Sequence, residues 1–285
     1  MMFDWKKIPK IDAHIHLLPE DVIQANLGCG DPFVDFGSVS DYLAVMEEYN
    51  IVRSFLMPFN DPYMLSMDFT VESVHTNLQK MAHQAPDKLC CFADVDIRRP
   101  LHQTLAELEK VLARKDMIGI KLHPTNGGYP IDGAYYDGIF RFAEEHKVLV
   151  EIHSYPREHL TDDVCSPSRI KRVLGRYPQL RLSIAHLGGF QFREFYGVKA
   201  WFNLSAVLPD LADRFGIQKT NEILREIGVK KLIFATDYPD SRCLKPKEIY
   251  DRYFELLGEM DFSREEAEDI CRNNVLRMLK GEYDQ

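Results

Sequence analysis

The chain has 285 residues, of which 45% are hydrophobic and 28% charged, the balance of a soluble globular protein with a sizeable core. Its formal net charge of −9 repels a phosphate backbone, and its clearest basic runs, "DIRRP" and "SRIKRVLGR", are short, so nucleic acid is not an expected partner. No stretch approaches 18 apolar residues, "MMFDWKKIPK" lacks the apolar region of a signal peptide, and six cysteines form no C-x-x-C pair; these features predict no membrane span, reduced thiols and a cytoplasmic location.

The first strand is read at "IDAHIH", residues 11–16. Side chains alternate along a strand, which predicts Asp12, His14 and His16 on one face and Ile11, Ala13 and Ile15 on the other. A long irregular stretch, Leu17 to Val39, comes next and reads as a functional loop. Ser40 is the expected N-cap of a helix over "DYLAVMEEYN". "IVRSFLMP" is strand two, "TVESVHTNLQKMAHQAP" a helix, "LCCFADVD" strand three and "LHQTLAELEKVLAR" an amphipathic helix. Strand four is "MIGIKLHP", with the glycine-rich turn "TNGGYP" behind it. The helix "AYYDGIFRFAEEHK" leads to strand five, "VLVEIHS". Ser166 caps the next helix, with Pro167 at its first position. Strands six, seven and eight are read at "LRLSIAH", "AWFNLSA" and "KLIFATD", and "SREEAEDICRNNVLRMLKG" is a last helix.

Eight strands alternating with helices imply a parallel sheet, and several strands are almost wholly apolar, as when both faces are buried. Eight such units match a single (β/α)8 TIM-barrel domain over residues 1–285, since barrels run to about 250 residues, or roughly 31 per unit. A doubly wound open sheet would carry a glycine-rich phosphate loop after strand one, and "HIHLLPED" is not one.

In a barrel the active site lies at the C-terminal ends of the strands. Here those ends carry His14 and His16, Lys121 and His123, His153, His186, and Asp237. The His153–His186 separation is 33 residues, one unit, and 137 residues separate His16 from His153, about four. Several neutral imidazoles plus a carboxylate suit Zn2+ or a similar divalent ion such as Mn2+. Arg98, Tyr155, Arg193 and Tyr238 lie just after strands and are candidates to bind a substrate carboxylate, solvated loop positions being the plainer alternative. His75, His83, His102, His146 and His159 fall on helices or loops and are expected at the surface.

Together "DAHIH", "KLHP", "VEIHS", "IAHLGG" and "FATDYP" resemble, in this order and over nearly the whole chain, the amidohydrolase superfamily, in particular the branch that includes aminocarboxymuconate semialdehyde decarboxylase and related hydrolases and lactonases. The resemblance implies that His14, His16, His153 and Asp237 ligate one metal ion, with His186 catalytic beside it. It also raises Lys121 and His123 as candidates for a second metal or for substrate, because two-metal relatives use a carboxylated lysine on strand four.

A divalent ion brings the pKa of its water towards about 7, and Asp237 would take that water's proton and pass it to the leaving group. The expected enzyme is therefore a metal-dependent hydrolase of a small-molecule amide, ester or lactone. A decarboxylase of a small carboxylic acid uses the same ligands and is the alternative. A nuclease resembling the TatD family would place a glutamate on strand four, where this chain reads "GIKLHP". A non-enzymatic binding protein fits poorly with an intact set of ligands. The partner expected is a small molecule, with a homodimer left open.

Overall fold

Strands Lys10–Ile15 (β1), Ile51–Leu56 (β2), Leu89–Ala93 (β3), Met117–Leu122 (β4), Leu149–His153 (β5), Arg181–Ala185 (β6), Trp201–Asn203 (β7) and Leu232–Ile233 (β8) form one parallel sheet in chain order. The computed structural model describes residues 3–59, 70–239 and 246–283; Cys243 lies outside them. β8 is short, yet the chain beyond it closes the barrel on β1. The Ala13 N–H donates to the Phe234 carbonyl at 3.1 Å, Asp237 N–H to His14 O at 2.9 Å and His16 N–H to Tyr238 O at 2.7 Å. The fold is a (β/α)8 barrel.

Helices cover the outside, each turning an apolar stripe inward. In Leu101–Leu112, Thr104, Leu108 and Val111 are buried at the i, i+4, i+7 spacing of one helix face. The barrel interior fills in layers. Its floor is Ile11, Ala13, Phe55, Phe92, Leu149, Trp201 and Ile233. Above them lie inward polar residues of β1, β4, β5, β6 and β7.

β1 departs from plain alternation. Asp12 pairs with Ser54 and Ile15 with Leu56, three steps on β1 against two on β2. This bulge inserts one residue and re-aims the side chains after it. Ala13 and His14 both reach the interior, while Asp12 turns outward to the Tyr250 hydroxyl of helix Pro246–Gly258. Asp12 therefore does not share a face with His14 and His16.

Other expectations also shift. Ser38, not Ser40, caps helix Val39–Glu48, its hydroxyl accepting from Asp41 N–H at 3.1 Å. The stretch after β1 holds two short helices, Glu20–Ala25 and Pro32–Phe36. "TNGGYP" begins as the short helix Pro124–Gly127, and the last helix carries a π-turn at Asp269–Asn273. His75 is buried, 2% exposed, because its two ring nitrogens tie Glu107 (3.1 Å) and the Asp94 N–H (3.0 Å) together. His83, His102, His146 and His159 are exposed as expected. Cys91, Cys165 and Cys271 are buried and Cys29 is exposed.

Candidate metal centre

At the C-terminal mouth of the barrel, β1 supplies His14 and His16, and the chain after β8 supplies Asp237. Asp237 Oδ1 lies 3.1 Å from His14 Nε2 and 3.4 Å from His16 Nε2. The two Nε2 atoms are 3.3 Å apart. Among the described residues these three form the one cluster of His, Cys, Asp or Glu able to share an ion, with ligand atoms all within 4.8 Å.

The donor set fits a divalent ion. His14 Nδ1 lies 2.7 Å from Glu151 Oε1, which accepts its proton, so the lone pair of His14 sits on Nε2 and faces the cluster. His16 Nδ1 is buried with no hydrogen-bond partner, so that ring is held towards the cluster by its other nitrogen. Two imidazole nitrogens and a carboxylate oxygen converging in this way are the ligand types of Zn2+ and its neighbours.

The electrostatics favour the unprotonated forms of Asp237 and His16 and push His14 the other way. Burial works to raise the Asp237 carboxyl, but the His14 and His16 nitrogens beside it overcome that and hold it well below the usual carboxylate range. Burial lowers His16, and lowers His123 and His153 well below their usual value. His186 falls to about 3, chiefly by burial. His14 alone moves upward: burial and Lys121 oppose this, and Glu151 and Asp237 prevail.

The backbone around these residues is strained. Asp237 has φ 69°, and His186 and Leu187 have φ 60° and 53°, left-handed values that non-glycine residues seldom adopt. Gly188 and Gly189 follow at φ 79° and 57°, and a Cβ on Gly189 would stand 3.2 Å from the Tyr155 ring. The glycine lets the turn after β6 pass close beneath that ring.

His153 joins the cluster indirectly. Its Nδ1 lies 3.0 Å from His186 Nε2, and its ring stacks on His123 at 3.9 Å. His186 Nδ1 faces the Ser205 carbonyl at 2.9 Å, an acceptor, so the His186 proton sits on Nδ1 and its Nε2 accepts from His153. Nε2 is then the lone-pair nitrogen of His153. His186 Nδ1 is itself 4.0 Å from Asp237 Oδ2.

Lys121 lies one layer deeper, 3.1 Å from Glu151 Oε1 and 3.4 Å from His14 Nε2, while His123 reaches the rim. Tyr155 stands 5.9 Å from His186, its hydroxyl donating to Asp210. The side chains of Arg98, Arg193 and Tyr238 make contacts away from the cluster, although the Tyr238 backbone carbonyl accepts from His16 N–H. Arg98 is exposed and pairs with both oxygens of Asp96. Arg193 is exposed over the Phe192 ring, and Tyr238 donates to Phe36 O at 2.7 Å. Phe33 and Phe59 wall the site, 5.8 and 6.0 Å from His16.

Sequence reasoning missed Glu151, Ser183, Asn203 and Ser205. Each stands two residues before or after another inward side chain, a period-two signal on strands that otherwise read as apolar.

The fold and this cluster define a (β/α)8 barrel with a candidate metal site at its strand ends. Residues 11–281 match the family model described as amidohydrolase, and the chain belongs to that family. It is an enzyme of the amidohydrolase superfamily. No curated protein matches it. A probable 2-pyrone-4,6-dicarboxylic acid hydrolase from Acinetobacter baumannii is similar with TM-score 0.68 at 17% identity, over 95% of this chain and 99% of that one. A 2,6-dihydroxybenzoate decarboxylase from Rhizobium gives TM-score 0.68 at 14% identity, over 95% and 98%. A 5-carboxyvanillate decarboxylase from Novosphingobium aromaticivorans, complexed with manganese and a nitrobenzoic acid, gives 0.69 at 14% identity, over 96% and 97%.

Proposed function

We propose that this protein is a metal-dependent hydrolase of a small-molecule amide, ester or lactone, with His14, His16 and Asp237 holding one divalent ion, Zn2+ first and Mn2+ second, and His153 as a fourth ligand. A divalent ion there supplies a Lewis acid for the scissile carbonyl and makes water more acidic. The observation that carries the hydrolytic reading is geometric: the Asp237 carboxylate stands within the cluster itself, Oδ1 3.1 Å from His14 Nε2 and 3.4 Å from His16 Nε2, as the acceptor beside any water bound there. Such a group takes protons. Hydrolysis begins with a proton taken from water, whereas decarboxylation ends with one given to carbon.

Asp237 is then the general base. It takes the water proton as the new C–O bond forms and returns it to the leaving nitrogen or oxygen as the old bond breaks. His186, with Nδ1 on the Ser205 carbonyl and Nε2 accepting from His153 Nδ1, orients the His153 ring so that His153 Nε2 is the nitrogen left to act as a ligand. Phe33 and Phe59 give the mouth an apolar wall that limits solvent access and favours a small, partly apolar substrate.

A decarboxylase of a small aromatic acid is the second reading. It is favoured by that aromatic wall and by the decarboxylases among the similar structures. Purified protein loaded with Zn2+ or Mn2+ is to be assayed in parallel for hydrolysis of lactones, esters and amides and for CO2 release from aromatic acids. Hydrolysis without CO2 is the expected result. CO2 release with no hydrolysis would replace the first reading by the second.

A further inference from the structure

Glu151 takes no part in the ligand cluster, yet it is fully buried and uses both oxygens. Oε1 accepts from His14 Nδ1 at 2.7 Å and from Lys121 Nζ at 3.1 Å. Oε2 accepts from Ser183 Oγ at 3.0 Å and from Asn203 Nδ2 at 3.1 Å. Four donors from β1, β4, β6 and β7 thus meet one carboxylate on β5. A buried charge survives only when paired and hydrogen-bonded, and this one is.

The bland account is a core ion pair: Lys121 needs an anion, and Glu151 supplies it. That account does not explain the shortest contact, which goes to His14. The β1 bulge is what aims His14 at Glu151. The contact decides which His14 nitrogen carries the proton, and so which one offers its lone pair to the cluster.

We propose that Glu151 is a positioning residue for the metal: through His14 Nδ1 it fixes the tautomer and orientation of His14 and strengthens Nε2 as a ligand. Asn203 extends the support to the far side of the site. Its Nδ2 donates to Glu151, and its Oδ1 accepts from Ser205 Oγ at 2.6 Å and from His186 N–H at 3.2 Å. One carboxylate therefore steadies a ligand directly and the His186 turn at one remove. Carboxylate–histidine pairs of this kind raise metal affinity by roughly 10- to 100-fold.

This inference rests on the metal reading above, and its test separates the two. Metal-stripped full-length protein is titrated with Zn2+ by calorimetry and with Co2+ by visible absorption, beside Glu151→Gln and Ser183→Ala. Glu151→Gln keeps the side-chain shape and should weaken binding by roughly 10- to 100-fold and shift the Co2+ bands. Ser183→Ala disturbs the same carboxylate at its other oxygen and should leave the Co2+ spectrum unchanged. If Glu151→Gln fails to fold because Lys121 is left unpaired, the double variant Glu151→Gln/Lys121→Met removes both charges and carries the same expectation. Glu151 variants that bind with parental affinity and a parental Co2+ spectrum would overturn the positioning role alone. A parent that binds neither ion would overturn it together with the metal centre.

Discussion

Asp12 pins the seam where the barrel closes, and its removal of charge has a calculable signature. The side chain is fully buried. Its oxygens accept from the Thr236 N–H (3.1 Å), the Thr236 hydroxyl (2.6 Å), the Tyr250 hydroxyl (2.6 Å) and the His14 N–H (3.3 Å). Burial raises its carboxyl from an ordinary 3.8 to about 6, against these hydrogen bonds, which lower it. The folded protein thus binds the proton more tightly than the unfolded chain does. The associated stability is fully present below the unfolded value and is lost as pH rises through the folded one, a change of about 3 kcal/mol. Glu151 acts in the opposite sense: burial raises it, Lys121 and His14 pull it to about 2, and its contribution is lost only as pH falls below the ordinary glutamate range. Asp12→Asn cannot titrate. Urea unfolding of metal-stripped wild type and Asp12→Asn should therefore show wild type losing about 3 kcal/mol relative to the variant between about pH 4 and pH 7, with the Glu151 effect cancelling in the difference. A difference between the two proteins that stays constant over that range would refute the reasoning.

Asp237→Asn retains a residue that tolerates the left-handed φ of 69° and removes the anionic ligand, so metal analysis should find the ion lost from a protein whose circular dichroism is unchanged. His153→Ala should likewise lower the bound metal while the barrel stays folded, and a full metal load would remove His153 from the ligand set. Gly119→Ala would place a Cβ 2.5 Å from Phe92 Cε1 and 2.7 Å from the Leu149 carbonyl; the ring can yield but the β5 backbone cannot, so denaturation should show a loss of about 1–3 kcal/mol.

The barrel was legible because its strands are short apolar runs ended by polar side chains, a pattern that survives without any tertiary information. His14, His16, His123, His153, His186 and Asp237 stood at those ends in the sequence and stand at the mouth in the fold. The sequence offers Arg98, Arg193 and Tyr238 as substrate candidates on position alone. Position after a strand does not say whether a guanidinium turns to a neighbouring carboxylate, as Arg98 does to Asp96, or whether a hydroxyl closes a loop, as Tyr238 does at Phe36.

The harder loss was at β1 and β5. A strict period of two puts Asp12 on the face of His14 and His16 and leaves His14 without a reason to be more than a ligand. One bulged residue reverses this: it sends Asp12 to the helices and turns His14 Nδ1 onto Glu151. A bulge leaves no mark in hydrophobic periodicity, because Ala13 fits either face. Once His14 is known to point inward, however, Glu151 becomes legible. It is a charge two residues before His153 on a strand buried at both faces, and such a charge requires partners. Lys121, two residues before His123 on the adjacent strand, is the cation that the same reasoning would have supplied, with β4 and β5 paired in register at Lys121 and Glu151. The layer beneath the candidate metal centre is therefore encoded in the strands as clearly as the proposed ligands are, but reading it requires cross-strand register, which no single strand contains.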